Sequence, residues 1–181
     1  MAPNGWGGPA LGLATWREEV RDAVRAHVSE FVRGECVDRL GDANVGNVGP
    51  EPGQAQTLKV LNNFLSATAL AASCEALHFG QTQGLDLQKM CDVVNVSTGM
   101  NTATLDKIPH QVVTNRFNAG FSNSLLLKDI SLYLDGCDEA GITGEISRTV
   151  VQLWDNFVTS SPNDDATGIF RYTGKKKQEK L

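Results

Sequence analysis

The chain has 181 residues, 41% hydrophobic and 20% charged, with a net charge of -5 and an isoelectric point of about 5.2. This is the profile of one soluble globular domain with extensions, and its acidic balance argues against the basic patch or stripe that a broad nucleic-acid surface requires. No apolar run approaches the roughly 18 residues of a membrane span, and no charged start leads into an apolar signal segment, so secretion and membrane insertion are not expected.

Residues 1–14, including Gly5-Trp6-Gly7-Gly8-Pro9, read as a flexible, turn-rich start rather than a phosphate cradle, since no β-branched run precedes the glycines. Thr15-Trp16-Arg17-Glu18 has the form of a capping box, and Val20, Val24, Val28, Phe31 and Val32 recur at helical spacing up to Gly34. A loop rich in glycine, asparagine and proline is expected over residues 38–54. A long helix follows, from about Ala55 to about Gly80, near 39 Å at about 1.5 Å per residue. Leu58, Leu61, Leu65, Ala69, Ala72 and Ala76 give it an apolar stripe, while Ser66, Ala67, Ala71 and Ser73 keep the remaining surface small enough for close helix contact.

Asp86 can cap a shorter helix bearing Leu87, Met90, Val93 and Val94 that stops around Ser97-Thr98-Gly99. Over residues 100–122 turns alternate with short helical pieces, because Pro109 limits any regular helix. Leu126, Ile130, Tyr133, Leu134 and Cys137 predict an amphipathic helix from about Asn123 to Ala140, with Gly141 as its stop. Ile146, Val150, Leu153, Trp154 and Phe157 mark the last strong helix, which ends before Pro162, and Asp164-Asp165-Ala166-Thr167 starts a final short turn. No convincing strand alternation appears, so the predicted fold class is all-α. Lys175-Lys176-Lys177, interrupted by Gln178 and Glu179, falls short of a polybasic motif and reads as a solvated tail.

Cys36, Cys74, Cys91 and Cys137 are widely spaced, with no C-x-x-C pair, and read as buried free thiols in a reducing cytoplasm. His27, His78 and His110 show no recurring ligand spacing, so no metal is expected, and without G-x-S-x-G no serine nucleophile is indicated. The stretch Gly53-Gln54-Ala55-Gln56-Thr57-Leu58-Lys59-Val60-Leu61-Asn62-Asn63 carries more chemistry. Lys59 and Asn63 project from one helical face, where an amine beside an amide can take a proton from a hydroxyl while holding its oxygen. Spacing alone is also compatible with a solvated helix surface.

Three ordered blocks add a resemblance: GQAQTLKVLNNFLSATALAASCEALHFG, STGMNTATLDKIPHQV and RFNAGFSNSLLLKDISLYLD. Residues 46–172 resemble the C-terminal helical domain of the β-hydroxyacid dehydrogenases, the family of 3-hydroxyisobutyrate dehydrogenase, whose bundle is shared with 6-phosphogluconate dehydrogenase. The resemblance implies an NAD(P)-dependent 3-hydroxyacid dehydrogenase acting in hydroxyacid oxidation or semialdehyde reduction. Lys59 would be its proton-transfer residue and Asn63 would orient the substrate; Lys128 would lie near cofactor and substrate, and Asp135 would bind or orient the substrate, or only orient or neutralise Lys128.

Such enzymes begin with a dinucleotide-binding Rossmann domain bearing G-x-G-x-x-G and a Ser-Gly-Gly substrate loop. Fewer than fifty residues precede the match, so that domain is expected to be absent. The expected organisation is therefore an N-terminal extension over 1–45, the helical domain over 46–172 and a basic tail over 173–181. NAD or NADP enters by resemblance only, and the expected partners are a small hydroxyacid and either a second copy or a Rossmann-domain chain. The alternative is a non-catalytic helical dimerisation or interaction module from a truncated or split dehydrogenase.

Overall fold

The computed structural model describes residues 53–174. The expected helix between Thr15 and Gly34, most of the following loop and the lysine tail lie outside the described residues. The chain divides into two compact units, residues 1–59 and 60–181. Of the first, the described part is Gly53 and the opening of a long helix, α1 (Gln54–Thr82).

The second unit holds the rest of α1, then α2 (Leu87–Val94), a π-helix (Ala103–Val113), α3 (Asn123–Glu139), α4 (Glu145–Ser160) and a 3-10 turn (Ala166–Gly168) that runs into α5 (Ile169–Thr173). The fold class is all-α, as the periodicities predict. Among the described residues no strand forms, only an isolated antiparallel bridge between Ser122 and Asp165.

Local chemistry fixes most of the helix ends. Asp86 accepts from the Lys89 N–H at 2.9 Å and caps α2, and Ser122 accepts from the Leu125 N–H at 3.3 Å and caps α3. Gly141, at φ 70°, turns the chain out of α3, so that the Ile142 N–H reaches back to the Cys137 carbonyl at 2.9 Å. Asp165 caps the 3-10 turn through the Thr167 N–H at 2.9 Å.

The core gathers Phe64, Leu70 and Leu77 of α1, Ile108 of the π-helix, Ile130 of α3, Trp154 and Phe157 of α4, and Ile169 of α5. Phe64 stacks on Tyr133 with centroids 4.3 Å apart and planes 8° from parallel. The face of α1 differs from the sequence expectation. Leu58, Leu61 and Leu65 are exposed, Leu65 by 56%, whereas the buried face runs through Val60, Asn63, Phe64, Ala67, Leu70, Cys74 and Leu77. Apolar residues recur at helical spacing on both sides of α1, and the buried side is the one whose Phe64 finds a ring to stack on and whose Ala67 and Ala71 admit close neighbours. Ile146, also expected inside, is 68% exposed in the first turn of α4.

Pro109 does not interrupt helical structure; it sits inside the π-helix. An α-helix would press the proline ring against the carbonyl four residues earlier, and the wider π turn bonds to the fifth residue back instead. Pro109 has no N–H, so the Thr104 carbonyl, five residues before it, lacks its helical donor. Asn95, the C-cap of α2, supplies one: its Nδ2 donates to Thr104 O at 3.0 Å. At the same end of the π-helix Asn101 Oδ1 accepts from the Ala103 and Thr104 N–H groups, and Asn101 Nδ2 donates to Ser73 Oγ of α1 at 3.1 Å. These bonds give Asn101 a capping role.

Asn95→Ala leaves the buried Thr104 carbonyl without that donor and is expected to cost about 1–2 kcal/mol in denaturant unfolding. The accompanying rise in amide exchange should concentrate in the π-helix. An unchanged unfolding midpoint would show that the carbonyl finds water instead.

Candidate functional site

The functional candidates of α1 begin at its first turns. Lys59 is half-buried, and Asn63 follows one turn later on the same continuous helix. Asn63 is only 4% exposed, and its Nδ2 donates to Asp129 Oδ2 of α3 at 2.7 Å, with Asp129 itself 3% exposed. Two polar side chains in an otherwise apolar contact are costly to bury singly and stabilising when paired. A carboxylate only accepts, so this bond fixes which way the amide faces: Nδ2 toward Asp129, leaving Oδ1 and the second N–H for other partners. The Phe64–Tyr133 stack braces the same two helices beside it.

Lys128 and Asp135, the other two candidates, are both exposed on α3. Their seven-residue separation puts them on one side of the helix but about 10 Å apart along it, and among the described residues no ion pair joins them. The structure therefore brings together Asn63 and Asp129, with Lys128 adjoining Asp129 in the chain, and leaves Asp135 two turns away. Asp129 is the residue that sequence reasoning passed over. Its position was nonetheless visible, because it falls three residues after Leu126 and four before Tyr133, within the apolar stripe of α3. Asn63 occupies the same kind of place in α1, between Val60 and Ala67.

Other titratable groups are tuned away from nucleophilic chemistry. Burial, with Cys91 adding to it, pushes the Cys74 thiol up to about 12. Burial also raises Cys91, with Asp92 contributing, and a side-chain hydrogen bond to Cys137, followed by burial, raises the Tyr133 phenol. Such thiols stay protonated and inert at neutral pH. Among the described residues no group of three or more His, Cys, Asp or Glu could hold a metal ion. Nor do they include a strand leading through a glycine turn into a helix, so no dinucleotide phosphate cradle lies among them.

Residues 53–173 match the family model described as "NAD-binding of NADP-dependent 3-hydroxyisobutyrate dehydrogenase". A probable 3-hydroxyisobutyrate dehydrogenase of Mycobacterium tuberculosis is 27% identical over 123 residues, 65% of this chain and 42% of that one. The mitochondrial 3-hydroxyisobutyrate dehydrogenase of Rattus norvegicus is 29% identical over 129 residues, 66% of this chain and 38% of the relative. The chain thus spans about four-tenths of the length of these relatives. A solved structure of Mycobacterium tuberculosis 3-hydroxyisobutyrate dehydrogenase with L-serine superposes with a TM-score of 0.63 at 26% identity, covering 67% of this chain and 44% of that one. One from Salmonella typhimurium, at 20% identity and a TM-score of 0.64 over 69% of this chain and 44% of its own, shares the fold.

The buried amide–carboxylate pair makes a pH-dependent prediction. Asn63→Asp places two carboxylates within hydrogen-bond distance, where only one can ionise without a large penalty. The variant should be less stable than its parent by about 2–4 kcal/mol at pH 7. As pH falls through the carboxylate range the pair can share a proton, so the gap in unfolding midpoint should narrow by pH 5. A gap that is constant from pH 7 to pH 5 would contradict the geometry.

Proposed function

The chain belongs to the 3-hydroxyisobutyrate dehydrogenase family, and on that premise we propose that residues 46–172 act as the C-terminal helical domain of an NAD(P)-dependent 3-hydroxyacid dehydrogenase. Residues 1–45 would be an N-terminal extension and 173–181 a basic tail. The observation that carries the reading is the Asn63–Asp129 hydrogen bond: it registers α1 at Asn63 against α3, which bears Lys128. The proposed substrate is a small hydroxyacid, a class consistent with the L-serine that accompanies the Mycobacterium tuberculosis enzyme in its solved structure.

In this reading Lys59 Nζ exchanges the proton of the substrate hydroxyl, taking it during oxidation and returning it during semialdehyde reduction. Asn63 holds the same oxygen with amide valences that Asp129 does not use, and Asp129 keeps the amide from rotating. Lys128 offers an exposed ammonium to the cofactor side, and Asp135 orients or offsets it. The described residues supply no hydride acceptor; NAD or NADP provides that chemistry when held by a dinucleotide-binding unit. The buried free thiols Cys74, Cys91 and Cys137 fit a reducing, cytoplasmic setting, and among the described residues no helix is long and apolar enough to cross a membrane.

A second reading rests on a separate observation. Leu61, Leu65 and Phe79 are exposed along α1, Phe79 by 69%, so that an apolar stripe without a partner among the described residues follows the helix. Such a stripe fits a helical dimerisation module whose partner is a second copy of this chain, and the two readings are compatible.

Joined to the dinucleotide-binding domain of a relative and assayed with 3-hydroxyisobutyrate, the Lys59→Ala variant should lose about 10²–10⁴-fold in kcat while its melting temperature stays within about 2 °C of the parent. Full turnover without the lysine would overturn the assigned role. For the second reading, light scattering at micromolar concentration should give twice the chain mass for the parent and one chain mass for Leu61→Lys/Leu65→Lys. A monomeric parent would remove the dimer from consideration.

A further inference from the structure

The end of α1 remote from Asn63 lies some 22 Å along the helix, at about 1.5 Å per residue, and borders a cleft of about 630 Å³. Its walls come from the end of α1, the start of α2, the segment after the π-helix, and α5. Two polar heads in it are held in place. The Arg171 guanidinium lies over the Phe117 ring, 3.5 Å from its centroid, and Nη2 donates to Asn115 Oδ1 at 3.1 Å. Asn115 and Phe117 both have positive φ, 55° and 50°, a conformation rare for a bulky residue such as phenylalanine. On the facing side His78 donates from Nε2 to the Phe170 carbonyl at 2.6 Å, which leaves its Nδ1 edge free of that bond. The His78 ring also lies 4.0 Å from the Phe170 ring, and a Cβ at Gly174 would come within 2.5 Å of it, so glycine is needed for the histidine to sit there.

Arg171 forms no ion pair among the described residues, and one hydrogen bond leaves most of its planar donor fork unused. A guanidinium fixed by stacking loses less freedom on binding than a mobile one, and its fork matches carboxylate and phosphate oxygens. Leu87, Val112 and Phe170 add apolar wall beside it. Asp86 also borders the cleft, with Oδ1 committed to capping α2, and its charge disfavours a second anion.

We propose that this cleft is a binding site for a small oxyanion-bearing molecule with a compact apolar body, its oxygens on Arg171 and its body against the Leu87–Val112 wall. The site is separate from the one assigned to the Lys59 chemistry and stands or falls independently of it. Asp86 makes it selective: a singly charged carboxylate is tolerated better than a phosphate dianion.

The test is a proton–nitrogen NMR titration of the full chain with sodium benzoate and with inorganic phosphate, each against sodium chloride at matched ionic strength. Benzoate should give saturable shifts at Asn115, Arg171 and Gly174. Saturation by phosphate alone would keep the oxyanion site but overturn the carboxylate preference. Arg171→Gln, a change at an exposed side chain, should weaken benzoate by at least about fivefold. Asp86→Asn keeps a capping side chain and should tighten it by about two- to fivefold. Shifts that match chloride for both probes, or that neither variant changes, would overturn the proposal.

Discussion

The bond between Asn63 and Asp129 sets the register on which the rest of the helical unit depends. Aliphatic contacts between helices are tolerant: a helix can slide or rotate by part of a turn and still bury leucine against leucine. A 2.7 Å bond between a buried amide and an acceptor-only carboxylate has no such latitude, because any slip would break a charge-assisted hydrogen bond inside the protein. The Phe64–Tyr133 stack reinforces the same alignment with a preferred ring geometry. Together they make the face of α1 a fixed reference for the groups projecting from it.

Much of this fold is legible in the sequence where punctuation is chemical. Asp86, Gly141, Pro162 and the Asp164–Asp165 pair each mark an end that the structure reproduces within a residue or two, because caps and stops act through local backbone groups that the chain itself displays. The face of α1 is harder to read. Its leucines at 58, 61 and 65 form as regular a row as the buried row beginning at Val60, and only the partners on other helices decide which row turns inward. The π-helix is hidden for a related reason. Proline is read as a breaker because its missing N–H is judged within its own helix, whereas here the replacement donor is Asn95, the C-cap of the preceding helix.

The candidate site divides along the same line. Lys59, Asn63 and Lys128 emerge from local blocks of sequence, but the carboxylate in contact with Asn63 is Asp129 rather than Asp135. Burial separates the two acids: Asp129 lies in line with Leu126 and Tyr133, and Asp135 falls outside that line and faces solvent. A polar residue placed within an apolar stripe requires a partner, and two such residues on different helices, Asn63 and Asp129, are natural candidates for each other. That inference depends on three-dimensional packing and could be drawn from the stripes, although not from the matching blocks themselves.

The links that hold the helices together also differ greatly in the length of chain they close. Asn95 reaches Thr104 across nine positions, Asn63 reaches Asp129 across 66, and His78 reaches the Phe170 carbonyl across 92. Loop-closure entropy makes the longest of these costlier than the shortest by about 2 kcal/mol, while the two long closures differ by only about 0.3 kcal/mol. The α2–π-helix pair can therefore form early as a local unit, whereas α5 docks only after most of the chain between is ordered. Although it has only five residues, α5 is held by buried Ile169, by the His78 bond to the Phe170 carbonyl and by Arg171 over the Phe117 ring, so its place rests on segments far from it in the chain.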